Sequence, residues 1–356
     1  MKRILFITRR YPPIVGGIET FCYQLHENLS KKRSVKLIAL KKKSTLHLAW
    51  FMPYALSKAL YSIIFKKVDV VYLSDGVTAS LAVVLKAFKR IRLVSTVYGL
   101  EMTYKNRMFR FLMNQGLNNC NKIGTISNET LSIMKAHIDE SKIKLIYVGV
   151  KPPEISDDEI KSLKSQFETE YGIDFQKDRV LFNFGRMVPR KGMVQFLKKG
   201  FPLLDKNAKL IIGGDGPDYE RIRETSQQDD LQGRVIVLKR PSDEIIAMLR
   251  NSAHLFIMPN VKYPNDLEGY GMAQLESMYS GMPVVAFAVD ALTESVRIGG
   301  YLIEPENYHE FTATIQNFFE LSQTERKIKQ EEASNYVKSE YSWENTCDEY
   351  IELFEN

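Results

Sequence analysis

The sequence predicts an α/β protein made of two Rossmann-like, doubly wound domains that face one another across a cleft. Three observations carry that expectation. Short apolar runs rich in Val, Ile and Leu alternate with segments of helical periodicity through most of the 356 residues. The alternation stops at a polar stretch opening on Lys151-Pro152-Pro153, then starts again. A chain of this length with 44% hydrophobic content fills two ordinary cores more readily than one.

In the first half, strands are expected at 4–8, 35–40, 68–73, 93–97, 122–126 and 144–148. After the first of these, Ile18, Phe21, Cys22, Leu25 and Leu29 recur at helical spacing, giving strand, Gly-containing loop, helix and strand. Such a unit makes parallel strands, with helices covering the sheet. A charged helix is expected at 157–170, followed by strands at 180–184, 209–212, 235–238, 255–258 and 283–287. The tail from 322 to 356 reads as helical, with Trp343, Tyr350, Ile351 and Phe354 on one sticky face. The resulting division is 1–150, 151–335 and a terminal segment 336–356.

Composition narrows the function. The three cysteines, Cys22, Cys120 and Cys347, are scattered, so neither a disulfide framework nor a zinc site is indicated. Residues 1–150 hold 25 Lys and Arg against 8 Asp and Glu, a balance of +17, whereas the remainder balances at −11. The asymmetry suggests halves that meet different partners: an anionic membrane, a nucleic acid or simply solvent over a basic surface would suit the first. A nucleic-acid reader is disfavoured because no reading motif is present. The apolar run at the N-terminus is too short for a signal peptide, and charged Arg9-Arg10 follows it. The segment 46–65 is interrupted by His47, Pro53 and Lys58, which makes a poor membrane span. Its Trp50, Phe51 and Tyr54, between Lys41, Lys42 and Lys43 and the Lys66-Lys67 pair, fit either a buried helix or one dipping into a membrane interface.

Four motifs follow strands. Gly16-Gly17 opens the first helix, where free amides and a positive dipole end suit a diphosphate; the Gly-x-Gly-x-x-Gly fingerprint of NAD enzymes is absent. Arg186 and Lys191 lie five residues apart in Gly185-Arg186-Met187-Val188-Pro189-Arg190-Lys191-Gly192, offering a planar fork and a point charge to phosphate oxygens. Glu268-Gly269-Tyr270-Gly271-Met272-Ala273-Gln274-Leu275-Glu276 sets two carboxylates around a Gly-rich loop at a helix start, with amides for an anion and carboxylates for sugar or ribose hydroxyls. Gly213-Gly214-Asp215-Gly216-Pro217 reads as turn chemistry.

Together and in this order, these pieces resemble the family 4 glycosyltransferases of the GT-B fold, over nearly the whole chain from Pro12-Pro13 to Ser342-Trp343-Glu344. Phosphatidylinositol mannosyltransferases and polysaccharide-assembly enzymes come nearest. The resemblance implies a retaining hexosyltransferase in which Gly16 and Gly17 lie beside the donor diphosphate, while Arg186 and Lys191 hold its phosphates. It places Glu268 on the transferred sugar, with Gly269, Tyr270, Gly271 and Met272 around it, Glu276 on the ribose, and Lys239 at the strand end that flanks the base. It implies a UDP- or GDP-sugar co-substrate, no metal or cofactor, a glycan or lipid-linked acceptor, and a cytoplasmic protein with peripheral contact to the inner membrane face. The terminal helix would cross back onto the first domain. Two positions depart from the pattern: Tyr98 in Tyr98-Gly99-Leu100-Glu101 replaces the family's histidine facing the donor sugar, and Lys239 stands where Gly is common. A non-catalytic nucleotide-sugar binder and a nucleotide-sugar epimerase are the alternatives, although the five histidines form no constellation that isomerisation would use.

Overall fold

The computed structural model describes residues 2–14, 16–42, 44–99, 106–264, 266, 268 and 270–356. The chain forms two compact units, one of Met1–Gly149 with Tyr341–Asn356 and the other of Val150–Glu340. The segment that joins unit 1 begins at Tyr341, five residues later than the sequence reading of 336. The reason is packing: the helix Gln323–Glu340 buries Ala333 and Val337 and stays with unit 2.

Unit 1 holds a parallel sheet of β1 (Arg3–Thr8), β2 (Ser34–Ala39), β3 (Val70–Leu73), β4 (Arg92–Val97), β5 (Lys122–Thr125) and β6 (Ile143–Leu145), in the order β2-β1-β3-β4-β5-β6. Alternate residues point to opposite faces. Leu5, Ile7, Val71 and Leu73 form one core with Phe51, Ala55, Ala59 and Ile63 of the helix Leu48–Phe65. That helix is long and apolar enough to cross a membrane, yet only 28% of it is buried. It is built into the core along one stripe, with Phe51 inside and Trp50 and Tyr54 outside.

On the other face, Phe6 meets His26 of the helix Gly17–Lys32, and Tyr72 meets Tyr350 and Phe354 of the helix Trp343–Glu355. The Thr96 hydroxyl joins Tyr72 and Tyr350, with both oxygen–oxygen distances 2.7 Å. Gly149 admits the returning chain, since a Cβ there would lie 2.6 Å from Trp343 Cα. The sticky face read at Tyr350, Ile351 and Phe354 is therefore buried against unit 1's own sheet.

Unit 2 repeats the plan with β7 (Arg179–Arg186), β8 (Ala208–Asp215), β9 (Val235–Lys239), β10 (Leu255–Met258), β11 (Val284–Phe287) and β12 (Gly300–Ile303), all parallel, in the order β12-β11-β10-β7-β8-β9. β12 is absent from the sequence reading; it is a four-residue edge strand behind Gly299, too short and half-exposed to show a pattern. β7 and β8 run beyond their apolar stretches because the ladder continues through Gly185–Gly214 and Arg186–Asp215. Each sheet reverses its strand order once, between β1 and β3 in unit 1 and between β7 and β10 in unit 2. Those points leave a crevice at the strand C-termini, the usual ligand position in open parallel sheets.

Replacing Tyr350 by Phe leaves Thr96 without one of its two buried partners. The expected loss is about 1–2 kcal/mol in urea unfolding, whereas Phe at the exposed Tyr61 leaves the midpoint unchanged.

Candidate active site

The loops after β7 and β10 meet at the reversal point of unit 2. Behind β7 the chain makes one tight turn, Pro189–Lys191, in which Gly192 N–H donates to the Pro189 carbonyl at 3.0 Å. Gly192 has φ 65°, and a Cβ there would sit 1.9 Å from the Pro259 carbonyl oxygen. Only glycine combines that backbone with so close an approach. Val261 N–H then donates to the Arg190 carbonyl at 2.9 Å, fastening the turn to the loop behind β10.

Glu268 lies in that junction, 6% exposed. Its Oε2 is 2.5 Å from Lys191 Nζ and accepts from Asn260 Nδ2 at 2.8 Å. Arg190 grips the same oxygen through Nη1, and its Nε is 3.1 Å from Asp266 Oδ1. The Glu268 backbone N–H donates to Asp290 Oδ2, just beyond β11, at 2.9 Å. Burial alone would raise the Glu268 carboxyl; the charges of Lys191 and Arg190 overcome it and bring the group down to about 2. Burial lowers the Lys191 ammonium, Glu268 pulls it back up, and Arg190 lowers it further. Lys191 has three donors and Glu268 engages one side of it, so the ammonium retains capacity for an anion.

The sequence-chosen residues divide into those this junction brings together and those it does not. Lys191 and Glu268 are in contact. Arg186, the last residue of β7, is exposed and has no ion-pair partner among the described residues. Tyr270 is buried, Gly271 caps the helix Met272–Tyr279 with φ 75°, and Met272 begins it. Gly269 lies outside the described residues. Glu276, on that helix, pairs with the buried Arg250 rather than standing open, and burial pushes its carboxyl up against Arg250's opposing charge. Lys239 ends β9 with Nζ 4.5 Å from the Tyr219 ring centroid.

The remaining residues belong to unit 1. Gly16 and Gly17 start the helix Gly17–Lys32, beside Glu19, which accepts from Arg10 at 3.0 Å. Arg9 Nε and Asp75 Oδ2 stand 2.6 Å apart behind β1 and β3, at this sheet's own reversal point. Tyr98 is buried, its ring edge-on to Phe21 and its hydroxyl 3.9 Å from Cys22 Sγ. The residue in place of the family's histidine is thus part of the unit 1 core; Leu100 and Glu101 after it lie outside the described residues.

Sequence reasoning missed Arg190, Asn260, Asp290 and Arg250. For the first three the signal was present: Arg190 precedes Lys191, and Asn260 and Asp290 each follow a fully apolar strand within three residues. Arg250 gave none, since its partner is brought near only by packing of two helices. No group of three or more His, Cys, Asp or Glu residues able to hold a metal occurs among the described residues.

Comparison with known proteins places the chain in a family. Residues 15–153 match the model of Glycosyltransferase Family 4, and residues 167–335 match that of Glycosyl transferases group 1. The chain belongs to the family 4 type glycosyltransferases. An uncharacterised glycosyltransferase of Methanocaldococcus jannaschii is 25% identical to it across 99% of this chain and 97% of that one. The O-antigen chain mannosyltransferase of Salmonella typhimurium is 23% identical across 67% and 60%. HepE of Anabaena, solved in complex with UDP, superposes with a TM-score of 0.77 at 18% identity over 99% of both chains. In complex with UDP-glucose it superposes with a TM-score of 0.75. The fold of this glycosyltransferase is GT-B.

The Glu268 carboxyl is depressed from its ordinary value of 4.5 to about 2. Its stabilising contribution is therefore complete above the unfolded value and disappears as pH falls through the folded one. The melting temperature of wild type should exceed that of Glu268→Gln at neutral pH, with the gap narrowing between about pH 5 and about pH 2. Gly192→Ala should cost about 2–4 kcal/mol, read by denaturant unfolding, because backbone clash and forced φ act together.

Proposed function

We propose that the protein is a retaining glycosyltransferase that moves a hexose-type sugar from a UDP- or GDP-sugar to a glycan or lipid-linked acceptor. The setting is synthesis of cell-surface polysaccharide or glycolipid, on the cytoplasmic side at the inner face of the membrane. The observation that carries the reading is the buried junction of Lys191, Arg190 and Glu268 at the reversal point of unit 2. The nucleotide and sugar nucleotide named with HepE, and the mannosyl transfer named for the Salmonella relative, support the donor class.

In this reading Lys191 and Arg186 bind the donor's phosphates, and Glu268, fixed by Arg190 and Asn260, receives hydroxyls of the sugar. The amides at the start of the helix Met272–Tyr279 face the same anion, and Glu276, steadied by Arg250, takes the ribose. Lys239 flanks the base, with Gly269 and Tyr270 completing the donor site in unit 2. The anomeric carbon–oxygen bond breaks with its electron pair on the leaving phosphate. The acceptor oxygen bonds to the same face of the sugar, and its proton passes to that phosphate. Preorganised cations stabilise the departing charge more in the transition state than before it, which is the work a metal ion does elsewhere. No metal or cofactor is required.

Lys191→Ala should lower kcat about a hundredfold, the usual effect of removing one preorganised charge from a transition state; an unchanged kcat would contradict the assignment. UDP- and GDP-sugars should raise the melting temperature, one base more than the other. A second reading, a binder that has lost turnover, draws on the burial of Tyr98. Donor-dependent stabilisation without nucleoside diphosphate release across an acceptor panel would select it.

A further inference from the structure

One side of unit 1 gathers most of the exposed large apolar side chains among the described residues. The helices Leu48–Phe65, Gly76–Ala79, Ala82–Leu85 and Arg107–Asn119 cover the same face of the sheet, each sending residues into one core. Their outer sides are apolar. Trp50, Tyr54, Tyr61 and Phe65 fall at helical spacing along the solvent-facing stripe of Leu48–Phe65 and are 45–68% exposed. Val83 and Val84 continue the exposed apolar surface, as do Phe111 and Leu112. Eighteen large apolar side chains are exposed among the described residues, and twelve of them lie in the segments 41–67, 76–91 and 106–120. Chance scatter would not place them on one helical layer, and an exposed apolar surface of this extent marks a contact site.

The charge of the same segments identifies what it contacts. They contain eleven Lys and Arg and not one Asp or Glu. The opposite face is built differently: there Lys32, Arg33 and Lys144 are neutralised by Asp348, Glu355 and Glu352 of the terminal helix. In the segments 41–67, 76–91 and 106–120 no carboxylate pairs with a lysine among the described residues; Lys58 instead lies 5.7 Å from the Tyr54 ring centroid, and Lys66 and Lys67 are exposed at the helix end beside Phe65. A fifth helix of this face, Asn128–Lys135, carries Glu129 and bounds the acid-free region. A second protein copy would bring its own unneutralised cations against these. An anionic bilayer satisfies both properties at once: aromatic and aliphatic side chains enter the interfacial zone, while lysines reach the headgroups.

We propose that this helical layer of unit 1 is a docking surface for an anionic lipid bilayer, with the Trp50–Tyr54–Tyr61–Phe65 stripe inserted and the flanking lysines on the headgroups. The helix lies along the surface and does not span it, because Phe51, Ala55, Ala59 and Ile63 remain in the protein core. The proposal deepens the reading of a membrane-side acceptor. Docking itself involves no transfer, so vesicle binding and catalysis succeed or fail separately.

The test uses the full chain carrying Trp343→Phe, which leaves Trp50 as the sole tryptophan. Vesicles of phosphatidylcholine with phosphatidylglycerol should shift Trp50 emission to the blue and carry the protein down in co-sedimentation; pure phosphatidylcholine should do neither. Binding should fall at least about tenfold between about 50 mM and about 500 mM salt, as screening of surface charge requires. Tyr54→Ser with Phe65→Ser should reduce it by a similar factor, as should Lys66→Glu with Lys67→Glu. All four positions are exposed, so circular dichroism and melting temperature should be unaltered. Absence of binding to anionic vesicles, equal binding to neutral ones, or retention of binding in both double variants overturns the proposal. So does self-association that buries Trp50 without lipid, which would make the face a contact between copies.

Discussion

Glu268 is an ionised carboxylate taken out of water. It remains ionised because Lys191 and Arg190 stand against it and Asn260 donates to it. Removing either cation would leave a charge buried without full compensation, at a cost of several kcal/mol. Two loops from distant parts of the chain are therefore bound to one another by electrostatics as well as by the Gly192–Pro259 contact. Such an arrangement is not the cheapest way to fill a core, and apolar residues of similar volume would serve stability as well. Its position at the C-terminal ends of β7 and β10, where the sheet reverses, points to binding and chemistry.

In unit 2 three cations, Arg190, Lys191 and Arg250, are directed inward, onto carboxylates that fix their geometry. In unit 1 most are directed outward, and their balance depends on the face. The terminal helix supplies acids to one face after the chain has passed through the whole of unit 2. The net +17 of residues 1–150 is thus partly offset on that side and left open on the other. Tyr72, Thr96 and Tyr350 hold the helix in place through their shared hydroxyls. The same contact that completes the fold of unit 1 also decides which of its surfaces stays basic.

Most of the architecture was legible because parallel strands buried on both faces are written as continuous apolar runs, which few other elements imitate. The edge strand Gly300–Ile303 was missed for the converse reason, being short and half-exposed. In the site, Lys191 and Glu268 were found from their residue types and spacing. The partners that position them were passed over: Arg190 adjoins Lys191, and Asn260 and Asp290 follow apolar strands, but that they reach Glu268 is decided by loop packing. Tyr98 shows the limit from the other side. The Tyr98 ring is buried against Phe21 and Cys22, and a sequence motif does not reveal which way a ring turns. Helix Leu48–Phe65 was ambiguous between core and surface because it is both, one stripe to each.

On the proposed reading, Lys191 and Glu268, in contact with one another, bind the diphosphate and the adjoining sugar of one nucleotide sugar. That reading is tested most directly by a crystal structure of the protein with a nucleoside-diphosphate sugar. Phosphate oxygens should lie within hydrogen-bond distance of Lys191 Nζ, with a sugar hydroxyl on the Glu268 carboxylate. Diphosphate density elsewhere, with the Lys191–Glu268 pair intact and untouched by the ligand, would contradict it.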